Sequence, residues 1–228
     1  MLILAFDTAT PAVTVALHDG NRPVAHESAT DARHHGELLA PAIAKVLATA
    51  RATMADLTSV AVGVGPGPYT GLRAGLVTAR VLGSTLGIEV DGICSLDIIA
   101  VQARRAAGGR DFIVATDARR REVYWARYAG EGQRLSGPDV GWPAELPPGY
   151  PLAGAGAWLH ADAIRAAAPA AEFIEPRLPD AAVLAALAAE RIAGGVPPGP
   201  AEPLYLRRPD AREPGRPKRV TPAAQGAR

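Results

Sequence analysis

The turn Gly65-Pro66-Gly67-Pro68 constrains the fold of this chain more than any other stretch of its sequence. An apolar run at residues 59–64 precedes the turn and is typical of a buried strand. Proline fixes φ and lacks an amide donor, and glycine adopts angles that other residues resist, so the strand ends here. Apolar residues then recur at three- and four-residue steps, and Pro68 suits the first position of a helix. The sequence therefore predicts a strand–turn–helix unit.

The predicted helix carries a stripe of residues without large side chains at four-residue steps: Gly71, Gly75, Ala79 and Gly83. An interior glycine costs about 1 kcal/mol relative to alanine, so close packing has to offset this loss. Two interpretations remain open. Either the stripe packs on this chain's own sheet or a neighbouring helix, or it is a docking face for another protein. Arg73 and Arg80 beside the stripe argue against a membrane helix.

The same turn matches the known nucleotide-binding motifs only weakly. A P-loop continues with Lys-Ser or Lys-Thr, which this sequence lacks, and the glycine spacing is not that of a dinucleotide fold. Backbone amides at the start of the helix could still hold an anion.

Composition excludes several classes of protein. The 228 residues include 24 basic and 23 acidic side chains, so no overall field attracts nucleic acid or acidic membranes. We therefore expect any RNA contact to be local or to run through a partner. The single cysteine, Cys94, excludes an internal disulfide framework and fits a reducing cytosol. No histidine lies near Cys94 in sequence, which disfavours it as a nucleophile.

The sequence also predicts a cytoplasmic location. The first six residues are apolar, lack a basic region and are followed directly by Asp7. This is not the pattern of a signal peptide. No apolar run approaches the roughly 20 residues that a membrane helix needs.

Three predicted strands open the chain, at residues 2–6, 13–18 and 22–28, and Asp7-Thr8-Ala9-Thr10 joins the first two. This arrangement resembles the opening of actin, Hsp70 and the sugar kinases, in which the turn lies beside nucleotide phosphates. The acid of that turn lies near the metal and its hydroxyls lie near the phosphates. The alternative is an ordinary turn, which Asp and Thr stabilise by local hydrogen bonds.

The histidine pair His34-His35 does not have the spacing of a metal site. A metal-binding helix needs a second ligand one turn away, and Leu38 and Leu39 occupy those positions. The same segment predicts a helix with a broad apolar stripe, which Pro41 should kink or confine to the residues after it.

Further along, Ser95 is predicted to cap a helix that ends at residue 107, and Asp180 to cap another at residues 181–193. Paired strands at residues 112–116 and 122–128 flank Asp117-Ala118-Arg119-Arg120-Arg121. These arginines could contact phosphate, although a solvated hairpin turn is the favoured interpretation. The tail from Pro209 is rich in Pro, Gly and Arg and predicts disorder.

Five pieces of the sequence, in their order and spacing, resemble the TsaB (YeaZ) family of bacterial tRNA threonylcarbamoyladenosine biosynthesis proteins. They are L-A-F-D-T-A-T at Leu4, R-H-H-G-E-L-L-A-P at Arg33, G-P-G-P-Y-T-G-L-R-A-G at Gly65, D-A-R-R-R-E-V-Y-W-A at Asp117 and E-P-L-Y-L-R at Glu202. The resemblance spans residues 2–208, and residues 65–75 are its most specific part.

The resemblance implies an α/β fold of the actin, Hsp70 and sugar-kinase type, with lobes at residues 1–100 and 101–208 and a tail at 209–228. It implies a non-catalytic scaffold that binds and activates TsaD, together with the ATPase TsaE, for threonylcarbamoyl transfer to adenosine next to the anticodon. Transfer RNA would be bound only through this complex. No cofactor or metal of its own is implied, although ATP or ADP could bind at the complex interface. Whether the chain forms a homodimer alone stays open.

The resemblance also implies site residues. The partner interface would use the helices at residues 35–50 and 69–84, with His35, Glu37, Leu38, Leu39, Ala42, Ile43, Val46, Tyr69, Gly71, Leu72, Arg73, Gly75, Leu76, Ala79 and Gly83. Candidate nucleotide contacts are Asp7, Thr8, Thr10, Gly67 and Arg119. The sequence departs from the family pattern P-G-S-F-T-G at Pro68 and Tyr69, and Ala155 replaces a polar residue between two glycines. Both changes disfavour an autonomous ATP site.

Two other functions are weaker candidates. An ATP-dependent small-molecule kinase of the same superfamily needs intact phosphate turns and a catalytic acid in the second lobe, and the changes at Pro68 and Ala155 tell against it. A metalloprotease would need the metal ligand that the helix after His34 lacks. ATP turnover or stoichiometric metal in the isolated protein would contradict the scaffold hypothesis.

Overall fold

The computed structural model describes residues 1–30 and 35–207, with the backbone alone for His35. His34, the side chain of His35 and residues 209–228, the tail that the sequence predicts to be disordered, lie outside the described residues. The structure contains two β-sheets flanked by helices, which confirms the predicted α/β class with two mixed sheets.

The first sheet has five strands in the order β3-β2-β1-β4-β5. The strands are β1 (Ile3–Asp7), β2 (Ala12–His18), β3 (Pro23–Thr30), β4 (Ser59–Gly63) and β5 (Glu89–Ile93). The first three are antiparallel, as the predicted meander requires, and β4 pairs in parallel with both β1 and β5. Strands β1 and β4 are buried along their whole length, so both faces of the sheet are covered.

Two helices, α1 (His35–Ala50) and α2 (Tyr69–Leu86), cover one face of this sheet and contact each other. The predicted apolar stripe of α1 is buried there, with Leu39, Ile43 and Val46 in the core. Pro41 lies inside α1, so the helix does not begin after it. Pro41 has no amide hydrogen, so it cannot bond the carbonyl one turn before it in the helix. Because Pro41 is exposed, this carbonyl lies on the solvent side of the helix.

Helix α6 (Ala181–Ala193) covers the opposite face of the first sheet. Its Leu184, Ala185 and Ala188 form one buried cluster with β1 and β4. The predicted lobes, residues 1–100 and 101–208, therefore need correction, because α6 returns to the first lobe after the chain has built the second. The reason is physical: without α6, one apolar face of the first sheet would be open to water.

The second sheet has the order β8-β7-β6-β9. Its strands are β6 (Phe112–Asp117), β7 (Val123–Tyr128), β8 (Arg134–Gly141) and β9 (Leu152–Ala153), and its helices are α3 (Ser95–Ala107), α4 (Ala155–Leu159) and α5 (Ala161–Ala167). Helix α3 packs on one face, and α4 and α5 pack on the other. The predicted strand pair around the arginine turn is confirmed as β6 and β7.

The start of α3 differs from the prediction. Cys94 is the residue that precedes the helix, and Ser95 is the first helical residue and has no capping role. The Ser95 hydroxyl is used instead in a contact with the first strand, described below. The predicted cap at the start of α6 is confirmed, because Asp180 accepts a hydrogen bond from the amide of Ala182 at 2.8 Å. None of the described helices combines the length and apolarity that crossing a membrane requires.

Candidate functional site

The turn after β1 is built around the carboxylate of Asp7, which is fully buried. One oxygen accepts a hydrogen bond from the amide of Ala9 at 2.8 Å. The other accepts one from the hydroxyl of Ser95 at 2.5 Å. These contacts tie β1 to the start of α3 and match the alternative in which Asp7 stabilises a local turn. Its burial leaves no surface through which Asp7 could contact a nucleotide in this conformation.

Thr8 joins the same turn to helix α2. Its hydroxyl donates to the carbonyl of Gly71 at 2.7 Å and accepts from the amide of Gly75 at 3.2 Å. These two groups lie one turn apart, so the threonine oxygen lies beside a hydrogen-bonding pair of the helix. Thr8 is only 1% exposed, and like Asp7 it does not reach the surface of the site.

The glycine stripe of α2 faces this chain. A Cβ atom on Gly75 would lie 2.5 Å from the Thr8 hydroxyl, and one on Gly83 would lie 2.4 Å from a methyl of Val90. The stripe therefore permits close packing on the first lobe's own turn and sheet. This finding corrects the interpretation in which the stripe itself docks another protein.

The predicted partner-interface residues differ in burial. Nine of them are buried inside the first lobe: Leu39, Ile43, Val46, Gly71, Leu72, Gly75, Leu76, Ala79 and Gly83. Glu37, Tyr69 and Arg73 are exposed, and Leu38 and Ala42 are partly exposed. Most of the predicted interface residues therefore lie on the inner faces of the two helices.

The outer surface of the same two helices carries exposed apolar residues that are not among the predicted interface residues. Val77 and Val81 lie one turn apart on α2 and are 59% and 57% exposed. Ala40, Ala44 and Ala48 are exposed at four-residue steps on α1. We call these five residues the α1–α2 outer face. Their helical spacing was visible in the sequence, but an apolar period does not reveal whether a face meets the core or a partner.

A cleft lies between the two lobes and consists of two adjoining cavities of about 450 and 310 Å³. Pro68, Asp117 and Arg119 line both. Three of the five predicted nucleotide contacts therefore come together here, because Thr10 and Gly67 also line the cleft.

The donors of the cleft fit an anion better than a metal-bound nucleotide. Arg119 and Arg177 line it, and the buried hydroxyl of Thr116 has no hydrogen-bond partner among the described residues. The lining carboxylate of Asp117 pairs with Arg119. The described residues contain no group of three His, Cys, Asp or Glu side chains that could hold a metal ion. Ala155 contributes only a methyl group to the lining.

The arginine turn after β6 has an unusual backbone. Arg119, Arg120 and Arg121 have φ angles of 60°, 53° and 65°. Such left-handed conformations cost L-residues roughly 1–2 kcal/mol each. Hydrogen bonds from the amide of Arg119 to Asp117 and from the amide of Glu122 to the carbonyl of Arg119 hold the turn. All three arginine side chains are exposed.

An aromatic cluster that the sequence did not predict stands beside this turn. The rings of Tyr69 and Tyr205 stack with centroids 5.6 Å apart, and the guanidinium of Arg73 lies 3.7 Å from the centre of the Tyr69 ring. Arg73 also donates to the Tyr205 hydroxyl at 3.3 Å. Tyr205 comes from the extended segment after α6, so only the fold brings it to the start of α2.

Cys94 does not have the properties of a nucleophile. It is 6% exposed, and burial, assisted by the nearby charge of Asp97, raises the pKa of its thiol to about 12. The thiol is therefore protonated at neutral pH.

Known proteins resemble this chain over most of its length. Residues 25–178 match the family model described as TsaD, tRNA N6-adenosine threonylcarbamoyltransferase. An uncharacterised protein of Mycobacterium tuberculosis is 49% identical, covering 92% of this chain and 93% of that protein.

Two further relatives carry family names. The tRNA threonylcarbamoyladenosine biosynthesis protein TsaB of Escherichia coli is 37% identical over 56% of this chain and 55% of its own length. The solved structure of YeaZ from Pseudomonas aeruginosa superposes with a TM-score of 0.78 at 29% identity, covering 90% of this chain and 99% of YeaZ. The chain therefore belongs to the threonylcarbamoyltransferase family of that model and, within it, to the TsaB (YeaZ) family.

Proposed function

We propose that this chain is a non-catalytic subunit that binds TsaD and activates it for threonylcarbamoyl transfer to adenosine next to the anticodon of tRNA. The TsaB relatives support a role in threonylcarbamoyladenosine biosynthesis. In the proposed complex TsaE supplies ATPase activity, any ATP or ADP binds at the interface of the subunits, and the assembled complex binds tRNA. A cytoplasmic location follows from this role.

The observation that carries the proposal is the α1–α2 outer face. Single exposed apolar residues are common on protein surfaces. Here two exposed valines lie one turn apart on α2, and α2 contacts α1, which carries the row of exposed alanines. Alanine loses no side-chain entropy on burial, so a partner helix can cover such a surface at low entropic cost. The exposed Glu37 and Arg73 on the same helices offer polar contacts around it.

A small-molecule kinase remains the alternative, because Arg119, Arg177 and the hydroxyl of Thr116 are donors that could bind a phosphate in the cleft. The anion-binding donors favour it, but the burial of Asp7 and the methyl group of Ala155 oppose it. The two functions differ in a simple respect. The kinase turns over ATP alone, whereas the proposed subunit acts only with its partner.

The test is size-exclusion chromatography with light scattering, on the chain alone and mixed with TsaD from the same organism. We expect a stable mixed complex and no ATP hydrolysis by this chain alone. Val77→Glu with Val81→Glu should abolish the complex, because two carboxylates would be buried without partners. Leu135→Glu is the matched control, since Leu135 is 45% exposed on β8 in the other lobe.

Three results would contradict the proposal. They are ATP turnover by the chain alone, no complex with TsaD, or a valine variant that binds TsaD as well as the control does. A homodimer of the chain alone that the valine substitutions dissociate, with TsaD binding unchanged, would assign the outer face to self-association instead.

A further inference from the structure

We infer that the mouth of the inter-lobe cleft binds RNA directly, with Arg120 and Arg121 on phosphates and the Tyr69–Tyr205 pair against an unpaired base. The inference deepens the proposed function and rests on it, because the RNA in question is the tRNA of the proposed complex. It assigns a direct contact with tRNA to this chain, whereas the sequence predicted that tRNA is bound only through the complex.

Positive charge is concentrated at this end of the molecule. The whole chain has a net charge of only +1. The cavity at the cleft mouth is nevertheless lined by Arg119, Arg120 and Arg207 and by only one acid, Asp117. Arg207 pairs with Glu122, and the exposed Arg121 and Arg73 stand beside the lining, so the arginines outnumber the acids here. A nearly neutral protein thus presents a local basic surface, which is the electrostatic requirement for binding a phosphate backbone.

The arginine turn is built to display its side chains. Three successive residues keep positive φ angles, and all three are exposed. Strained backbone of this kind persists where the surrounding structure holds it, and it is common at ligand-binding sites. Arg119 is paired with Asp117, which anchors the first arginine of the turn.

The tyrosine pair supplies the second element of RNA recognition. Tyr69 and Tyr205 remain 54% and 45% exposed although their rings stack on each other. Proteins bind single-stranded RNA by stacking unpaired bases on aromatic rings and on guanidinium planes. Tyr69, Tyr205, Arg119 and Arg120 line the same cavity of about 310 Å³, so one nucleotide could meet both elements.

These features favour an RNA loop over a duplex or an acidic protein. In a duplex the bases are stacked and cannot reach the tyrosines. An acidic peptide would use the arginines but has no group that needs an exposed stacked pair. A loop offers phosphates and unstacked bases within one nucleotide of each other.

The test is fluorescence anisotropy with a labelled anticodon stem-loop of a tRNA that reads codons starting with A. Binding is measured with the full chain alone and with its complex with TsaD, at several salt concentrations. Arg120→Gln with Arg121→Gln should weaken binding at least tenfold and lower the salt dependence by about 0.7 for each phosphate that is no longer neutralised. Arg104→Gln with Arg105→Gln, two exposed arginines on α3, removes the same charge and should change affinity less than twofold.

The aromatic element is tested separately. Tyr205→Ala should weaken binding at least about fivefold, and Tyr205→Phe should restore most of it because stacking needs the ring and not the hydroxyl. Thermal unfolding of each variant checks that the chain still folds.

Distinct results would overturn this inference and the proposed function. If both arginine pairs weaken RNA binding equally, or neither does, in the chain alone and in the complex, direct recognition is wrong. The same holds if Arg120→Gln with Arg121→Gln leaves RNA binding intact but prevents complex formation, because the surface would then bind protein. If no complex forms with TsaD, the proposed function fails, while the measurements on the chain alone still decide the RNA contact.

Discussion

The hydroxyl of Thr8 and the backbone of Gly75 lie so close that no side chain fits between them. The amide of Gly75 donates to the Thr8 oxygen at 3.2 Å, and a Cβ on Gly75 would lie 2.5 Å from the same atom. A glycine in the middle of α2 is therefore required by the first turn of the chain. This contact fixes the distance between β1 and α2 and so the position of the helix that carries the proposed partner surface.

Gly75→Ala should destabilise the protein by about 1–3 kcal/mol, because the added methyl group forces Thr8 or the helix to move. For a chain of this size, Tm should fall by about 2–4 °C for each kcal/mol of destabilisation. Gly36→Ala is the matched control, since a Cβ at Gly36 in α1 meets nothing within 4 Å. Thermal unfolding measures both.

A double-mutant cycle isolates the contact. With Thr8→Ala in the background, Gly75→Ala should cost less, with a coupling energy of about 0.5–3 kcal/mol. A Gly75→Ala variant that is as stable as the wild type but no longer binds TsaD would show that the stripe faces a partner, contrary to the packing described above.

Ser95→Ala tests the role of Asp7. The Ser95 hydroxyl donates to the buried carboxylate and accepts from the amide of Gly65 at 3.2 Å. Leaving the buried Asp7 oxygen without this partner should cost roughly 1–3 kcal/mol. Urea unfolding gives this value, and Ser84→Ala, an exposed serine of α2, should change it by less than about 0.5 kcal/mol.

The same variant separates structure from ligand binding. If Asp7 has a structural role, the loss of stability in Ser95→Ala is the same with and without added ATP. Stabilisation of the wild type by ATP that the variant lacks would instead show that this turn is part of a nucleotide site.

The sequence predicted the local structure well because strands and helices leave periodic patterns. It did not predict which face of α2 meets the core, because Leu72 and Val81 give the same apolar period although one is buried and the other exposed. It also missed contacts between distant residues. Ser95 and Asp7 are 88 positions apart, and Arg73 and Tyr205 are 132 apart. Such pairs depend on the topology of two sheets, which no local pattern records.

The return of α6 illustrates the same limit. Its apolar face was evident in the sequence, but nothing local shows whether that face covers the nearer second sheet or the first. The structure resolves this choice because the α6 amide of Ala181 donates to Thr14 on β2 at 3.0 Å.

Cys94 should be almost unreactive in the folded protein. Burial raises the pKa of its thiol from 9.0 to about 12, so little thiolate exists at pH 8. A thiol reagent such as DTNB should react slowly with the native protein and rapidly after unfolding in urea. Fast native reaction would contradict the burial of the side chain.

The raised pKa of Cys94 also predicts how stability depends on pH. Between pH 9 and 12 the unfolded chain loses the thiol proton while the folded chain keeps it, so the unfolded state binds fewer protons. The free energy of unfolding should therefore fall as pH rises through this range. Cys94→Ala lacks this titration. Above pH 9 the free energy of unfolding should therefore fall more in the wild type than in the variant. A difference that is constant with pH would contradict the prediction.

The segment at residues 199–205 links the edge of the first sheet to the cleft mouth. The amide of Gly92 on β5 donates to the carbonyl of Gly199 at 3.0 Å, and the amide of Gly199 donates to the carboxylate of Asp91 at 2.7 Å. Further along, the amide of Leu204 donates to the carbonyl of Val64 at 2.9 Å. These bonds hold the chain that delivers Tyr205 to Tyr69.

Gly92→Ala should release this segment, because a Cβ there would lie 2.2 Å from the carbonyl oxygen of Pro200. Backbone cannot yield as a flexible side chain can, so we expect the segment to detach while both sheets stay folded. Trypsin should then cleave after Arg207 several times faster than in the wild type, and RNA affinity should fall as it does in Tyr205→Ala. Gly36→Ala should change neither rate nor affinity. Unchanged cleavage after Arg207 in a folded Gly92→Ala variant would show that β5 does not position the tyrosine.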